Sequence, residues 1–187
     1  MSNPYSPPQS NIHQDPKNTE NDTTSPFSPK GRFSRYSFLA WNLVLNIMVM
    51  IVAAVIMAIT GTASGLMTAT DPNEMMAFYG SATGLMMIVL MLASLVFSII
   101  FFVRRLHDIN MNGWWSVLIF IPIVNIIFGI YVLVKKGVEG SNHFGPARAT
   151  PKWEKVLGII ALIIIVLYVL VIIAGIVASI VAGGMQQ

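Results

Sequence analysis

Residues Trp115–Val134, WSVLIFIPIVNIIFGIYVLV, decide the fold. They carry no charge and are long enough, as one helix, to cross a hydrocarbon core of about 30 Å. Yet Ile121-Pro122-Ile123-Val124-Asn125 sets a helix breaker and a turn-forming amide at their midpoint. Each flank, about ten residues, reaches only about 15 Å, or half a bilayer. The stretch either spans as a proline-kinked helix or enters and leaves on one side as a re-entrant hairpin. In the second case its broken backbone must be buried by other helices.

Three more uncharged windows surround it, at Phe38–Thr60, Ala82–Val103 and Leu157–Ala182. Of 187 residues, 55% are hydrophobic and 10% charged, against about 25% charged in a soluble domain. That apolar excess cannot be buried inside one soluble domain of this length. The composition predicts an all-α integral membrane protein with three or four transmembrane helices. Soluble enzymes and nucleic-acid binders are poor fits, and the absence of cysteine removes disulfides, thiolate metal sites and a cysteine nucleophile.

Residues 1–29 hold six of the ten prolines among Ser, Asn, Thr and Gln. They read as a disordered tail, with P-x-x-P spacings at Pro4–Pro7 and Pro26–Pro29. The first apolar run follows this tail at membrane width, which reads as an uncleaved anchor rather than a signal peptide. Residues 30–150 form the membrane domain, and 151–187 add a C-terminal helix. Asp71-Pro72-Asn73-Glu74 combines a capping aspartate, proline at the first helical position and glutamate at the third. It starts the second helix well before its apolar window. Thr150-Pro151 offers a similar start for the last helix.

The basic residues choose between the two layouts. Lys17, Lys30, Arg32 and Arg35 precede the first window, Arg104 and Arg105 follow the second, and Lys135, Lys136, Arg148, Lys152 and Lys155 follow the third. Four spans would divide them six against five. A re-entrant third segment gathers all eleven on one side, which the positive-inside rule makes cytoplasmic. The preferred layout has a cytoplasmic N-terminus, three spans, one re-entrant hairpin containing Pro122 and Asn125, and an external C-terminus.

The windows contain no ionisable residue, so proton-coupled transport lacks its relay. Asn42 and Asn46, four apart, read as interhelical hydrogen bonds, and small-xxx-small pairs such as Gly61/Gly65 and Gly80/Gly84 allow close helix approach. Arg104-Arg105-Leu106-His107-Asp108 ends the second window. Arg104 and His107 share one helix face, and Arg105 and Asp108 another. Arginine there can grip a phosphate or serve only as a topological stop signal. His107, Asp108 and His143 have no metal-ligand spacing. No catalytic residue, metal site or cofactor is assigned.

Three motifs together resemble the bacterial inner-membrane family named domain of unknown function 805. They are Gly31-Arg32-Phe33-Ser34-Arg35 with Phe38 and Trp41; Arg104–Asp108 with Gly113-Trp114-Trp115 and Pro122; and Gly137, Gly140, Asn142, Phe144, Gly145 and Pro146. The likeness covers about 31–146. His143-Phe144 departs from the basic residue and tyrosine more usual there, and the last helix runs beyond the usual end. The resemblance implies a bacterial cytoplasmic membrane protein. If the third segment re-enters, all three motifs share one cytoplasmic face.

The expected function is a non-enzymatic membrane component. Arg32, Arg35, Arg104 and Arg105, organised by His107 and Asp108, would bind an anionic lipid headgroup or a protein partner, with a homo-oligomer also open. A small channel or carrier with Asn125 at a constriction is the alternative, and a lipid-modifying enzyme using His107 the third reading.

Overall fold

A computed structural model describes residues 21–62 and 71–184. The Pro4–Pro7 spacing and Gly65 lie outside these. Among the described residues the chain is helical: α1 (Arg35–Thr60), α2 (Pro72–Gly80), α3 (Ala82–Asp108), a 3-10 helix (Gly113–Phe120), α4 (Val124–Val134) and α5 (Lys152–Gly184). Three of these, α1, α3 and α5, are long and apolar enough to cross a membrane.

Local chemistry sets the ends. The Ser34 hydroxyl caps α1, accepting from the Ser37 amide, and Gly61 closes it with a left-handed φ of 66°. Asp71 caps a helix as expected, accepting from the Asn73 amide. That helix does not run on into the second window. It breaks at extended Ser81, whose hydroxyl caps α3 by accepting from Gly84. A Cβ at Gly84 would collide with the Phe78 carbonyl, so glycine allows α2 to fold against the start of α3. Asn42 and Asn46 do not bridge helices. Their amides donate to Phe38 O and Asn42 O one turn back in α1.

The end of α3 reverses the chain. Asn110 adopts a left-handed φ of 59°, its amide donates to His107 O, and the Met111 amide reaches Leu106 O. This is a Schellman closure with asparagine in glycine's usual place. Asn112 then caps the 3-10 helix by accepting from the Trp114 amide. Gly113 sits against Val103 and His107, where a Cβ would crowd Val103. The segment thus starts back along α3.

Its far turn is tight. The Val124 amide donates to Pro122 O across Ile123, whose φ is 69° and ψ −52°. This is the rarer positive-φ γ-turn, here on a β-branched residue, at a cost of about 1–3 kcal/mol. The Asn125 side chain donates through Nδ2 to Ile119 O, stapling the two arms. The eight-residue 3-10 arm covers about 16 Å, and the eleven-residue α4 about 16 Å. Their C-terminal exit returns to the level where the segment began: Arg105 Nε donates to Val132 O, and the Val138 amide to Asp108 O. The segment is a hairpin with both ends at one end of the α1–α3 pair, not a single kinked helix. Phe102, Leu106, Ile109 and Val132 form the small core between them, flanked by Phe38 and Phe128.

The first turns of α5 pack on the first turns of α1. Thr150 Oγ1 lies 2.6 Å from Ser34 Oγ, and a Cβ on buried Gly158 would clash with Tyr36 backbone. From Leu162 onward the large apolar side chains of α5 are exposed.

Candidate functional site

All three sequence motifs converge where α1 begins and α3 ends. Asp108, on the last turn of α3, is gripped from both sides. Arg32 Nε and Nη2 donate to Oδ1 at 3.3 and 3.0 Å, and Arg105 Nη1 donates to Oδ2 at 2.5 Å. The remaining donors of Arg32 tie down the glycine-rich segment, reaching Gly140 O at 2.6 Å, Gly145 O at 3.2 Å and Val138 O. Arg105 holds the hairpin exit through Val132 O and Lys135 O. Gly137 presses on the Asp108 carboxylate, and a Cβ there would overlap it.

Arg104 faces the other way. Its Nη1 donates to three carbonyls, Ser25 at 2.7 Å, Ser28 at 3.1 Å and Lys30 at 2.7 Å, while Nη2 meets Asp22 Oδ2 at 3.0 Å. Asp22 also accepts from the amides of Thr24 and Arg32. The segment 21–33 is therefore wound around one guanidinium. Gly31, at φ +89°, permits the approach, because a Cβ would strike Asp22 and Thr24. Burial alone would push the Asp22 carboxyl up. The Thr24 hydroxyl, the Arg32 and Thr24 amides and the charge of Arg104 outweigh it and hold the group below its ordinary value.

A third fastening joins α5. Glu154, fully buried, accepts from Trp41 Nε1 at 2.9 Å and Arg148 Nη2 at 2.7 Å. Arg104 and Arg148 lie 4.3 and 5.4 Å from the centre of the Phe33 ring, a cation–π arrangement on a fully buried aromatic. His107 stacks on Phe144 at 3.9 Å with Nδ1 against Gly31 O, and Asn142 donates to His107 O.

The motifs meet, but not as an outward cationic face. Arg32, Arg104 and Arg105 have no exposed surface, and their hydrogen bonds run to Asp22, Asp108 and backbone carbonyls within the protein. Of the four predicted arginines only Arg35 is exposed, making a single side-chain bond, to Val134 O. Residues 21–29, expected in the solvated tail, are partly recruited: Asp22 is buried and Phe27 packs edge-on against Trp41 and Phe97. Sequence reasoning missed Asp22, Arg148 and Glu154. Asp22-x-Thr24 carries a weak Asx-turn signal, but nothing local marks the other two.

These buried ion pairs, Arg32 and Arg105 on Asp108, Arg104 on Asp22 and Arg148 on Glu154, form one clasp. A cavity of about 390 Å³ opens beside it, lined by Ser34, Arg35, Arg105, Asp108, Gly137 and Arg148 among others. The exposed cations Lys30, Arg35, Lys135, Lys136, Lys152 and Lys155 belong to segments that meet at this end: the start of α1, the exit of α4 and the first turn of α5.

A family described as "Protein of unknown function (DUF805)" matches residues 26–146. The inner membrane protein YhaH of Escherichia coli (strain K12) is 39% identical over 51 residues, 27% of this chain and 40% of the relative. The inner membrane protein YhaI of the same strain is 35% identical over 43 residues, 23% of this chain and 36% of the relative. The chain thus spans at most about two fifths of the length of these curated relatives. No solved structure matches.

Proposed function

We propose a non-enzymatic role for this chain, which belongs to the DUF805 family of proteins of unknown function: its N-terminal end faces the cytoplasm and holds an anionic lipid surface. Three apolar helices and named inner-membrane relatives make it a multi-pass membrane protein. The observation that carries the finer reading is the segregation of charge. No Lys or Arg occurs in 36–103 or 156–187, and the far end carries Asp71 and Glu74 instead. The exposed cations all sit on segments at the clasp end of the helices. Each basic residue near an anionic leaflet contributes about 1 kcal/mol, so the six together concentrate such lipids strongly. The buried arginines act indirectly, by fixing the elements that carry these cations.

Orientation is tested first. Single cysteines replacing Ser141 and Asn73 in this cysteine-free chain are probed on intact cells with a membrane-impermeant maleimide. Asn73→Cys is expected to label and Ser141→Cys to stay protected; labelling of Ser141→Cys from outside would overturn the layout.

The lipid reading is tested by native mass spectrometry of the purified protein. Replacing Lys135, Lys136, Lys152 and Lys155 together with glutamine is expected to lower copurified phosphatidylglycerol severalfold with the fold intact. An unchanged lipid complement would remove this function.

A further inference from the structure

Among the described residues the clasp encloses one more positive charge than negative. Four enclosed guanidiniums (Arg32, Arg104, Arg105 and Arg148) meet three enclosed carboxylates (Asp22, Asp108 and Glu154). Arg148 is the least enclosed of these, with its side chain 12% exposed. A charge withdrawn from water is costly unless a counter-charge meets it.

The 390 Å³ cavity lies where that counter-charge would sit, and its size is at the small end of ligand pockets. Arg105 forms part of its inner wall, and Arg35 and Arg148 line it as well. Arg35 uses one nitrogen on Val134 O. Arg148 uses Nη2 on Glu154, while its Nε is buried without a partner. Both forks keep donors free, and guanidinium forks match the oxygens of a phosphate. Ser34–Tyr36 open α1, whose first turn holds no acidic residue, so the positive end of a 26-residue helix adds to the same field. Two carboxylates also line the cavity. Asp108 is already held between Arg32 and Arg105, and exposed Glu139 pairs with Lys136.

We infer that this cavity binds one phosphate-type oxyanion, either inorganic phosphate or the phosphodiester of a lipid headgroup, gripped by Arg35 and Arg148. The inference rests on reading this end as the anion-facing surface, and deepens it from diffuse charge to one site. Arg148 lies beyond the family match of 26–146, so the C-terminal extension of this chain completes the site.

The test uses the full chain in nanodiscs, with thermal unfolding followed by tryptophan fluorescence. One arm adds inorganic phosphate to phosphatidylcholine discs, with chloride at equal ionic strength as control. The other replaces the lipid with phosphatidylglycerol in phosphate-free buffer. Wild type is expected to gain thermal stability in at least one arm: the first alone identifies free phosphate, the second alone the headgroup, and both a site open to either. Arg35→Gln, which removes an exposed fork, is expected to need about tenfold more anion for the same shift. Arg35→Lys is expected to fall between. A variant that replaces only Lys135, Lys152 and Lys155 with glutamine, leaving the Lys136–Glu139 pair at the cavity intact, should keep the phosphate response while losing copurified lipid, which separates this site from the broader reading. No shift in either arm beyond the chloride control, or a shift that Arg35→Gln leaves intact, would overturn the inference.

Discussion

Asp108→Ala is expected to lower the unfolding free energy by about 3–5 kcal/mol, the range for removing one partner of a buried ion pair. Arg32 and Arg105 would both lose their common carboxylate while remaining fully buried. The same guanidiniums hold the hairpin exit and the 137–145 segment, so turning toward the neighbouring cavity for water would cost them those bonds. Asparagine is not a sufficient replacement, because its amide would point donors at a donor. Thermal unfolding in detergent, read by tryptophan fluorescence, measures the loss. The matched control is Lys136→Gln, which breaks an ion pair of similar sequence spacing whose two side chains are 71% and 81% exposed; it should leave the melting temperature unchanged. Equal effects from the two substitutions would mean that the clasp is open to water.

Arg104→Leu should act locally and almost as strongly. It removes the donor to the Ser25, Ser28 and Lys30 carbonyls and leaves Asp22 buried without its cation. We expect about 3–5 kcal/mol, concentrated in the hold on 21–33. Limited trypsin digestion reads this directly, with cleavage after Lys30 appearing in the variant and absent in wild type. Acid should imitate the change in wild type, and the direction follows from Asp22. Its folded carboxyl titrates below the ordinary value of 3.8, so its contribution is complete above that pH and lost as pH falls through the folded value. Cleavage after Lys30 should therefore be absent at pH 5, and accessibility should rise only below pH 3.8, measured by hydrogen exchange where trypsin no longer works. A segment already accessible at pH 5 would contradict the clasp.

The membrane helices were legible because apolar windows of membrane length have few other solutions, and α1, α3 and α5 contain theirs. The basic residues also pointed to the hairpin, since only a returning third segment gathers them on one side. Other features depended on interactions that one-dimensional patterns do not carry. Ser81 breaks the second helix because Gly84 lets α2 fold back, a contact that neither residue announces. Asn42 and Asn46 suited interhelical bonds by spacing, but the carbonyl four residues back was nearer. The three motifs were expected on one face, and Arg32, Arg104 and Arg105 do meet, but enclosed rather than facing outward. Sequence records that Arg32, Arg104 and Arg105 are basic, but not that Asp22, Asp108 and a series of carbonyls enclose them. Apart from the Arg105–Asp108 pair, three residues apart, enclosure arises from side-chain bonds of these arginines 27 to 113 residues apart, beyond any local periodicity.

Those separations also impose an order in time. When Arg104 and Arg105 leave the ribosome, the carbonyls of Val132, Lys135, Val138, Gly140 and Gly145 do not yet exist. At about 5–20 residues per second, the interval from Asp108 to Gly145 lasts roughly 2–7 seconds. Asp22 and the 25–30 carbonyls are already waiting for Arg104, so that side of the clasp can close first. Arg32 and Arg105 must stay hydrated until the hairpin has folded back along α3. Their burial then follows that of Arg104 and precedes the Glu154 fastening, whose residues are made later still; a hairpin that fails to return leaves two bare guanidiniums and an untied 137–145 segment. The clasp thus makes enclosure of these two guanidiniums depend on completion of the hairpin.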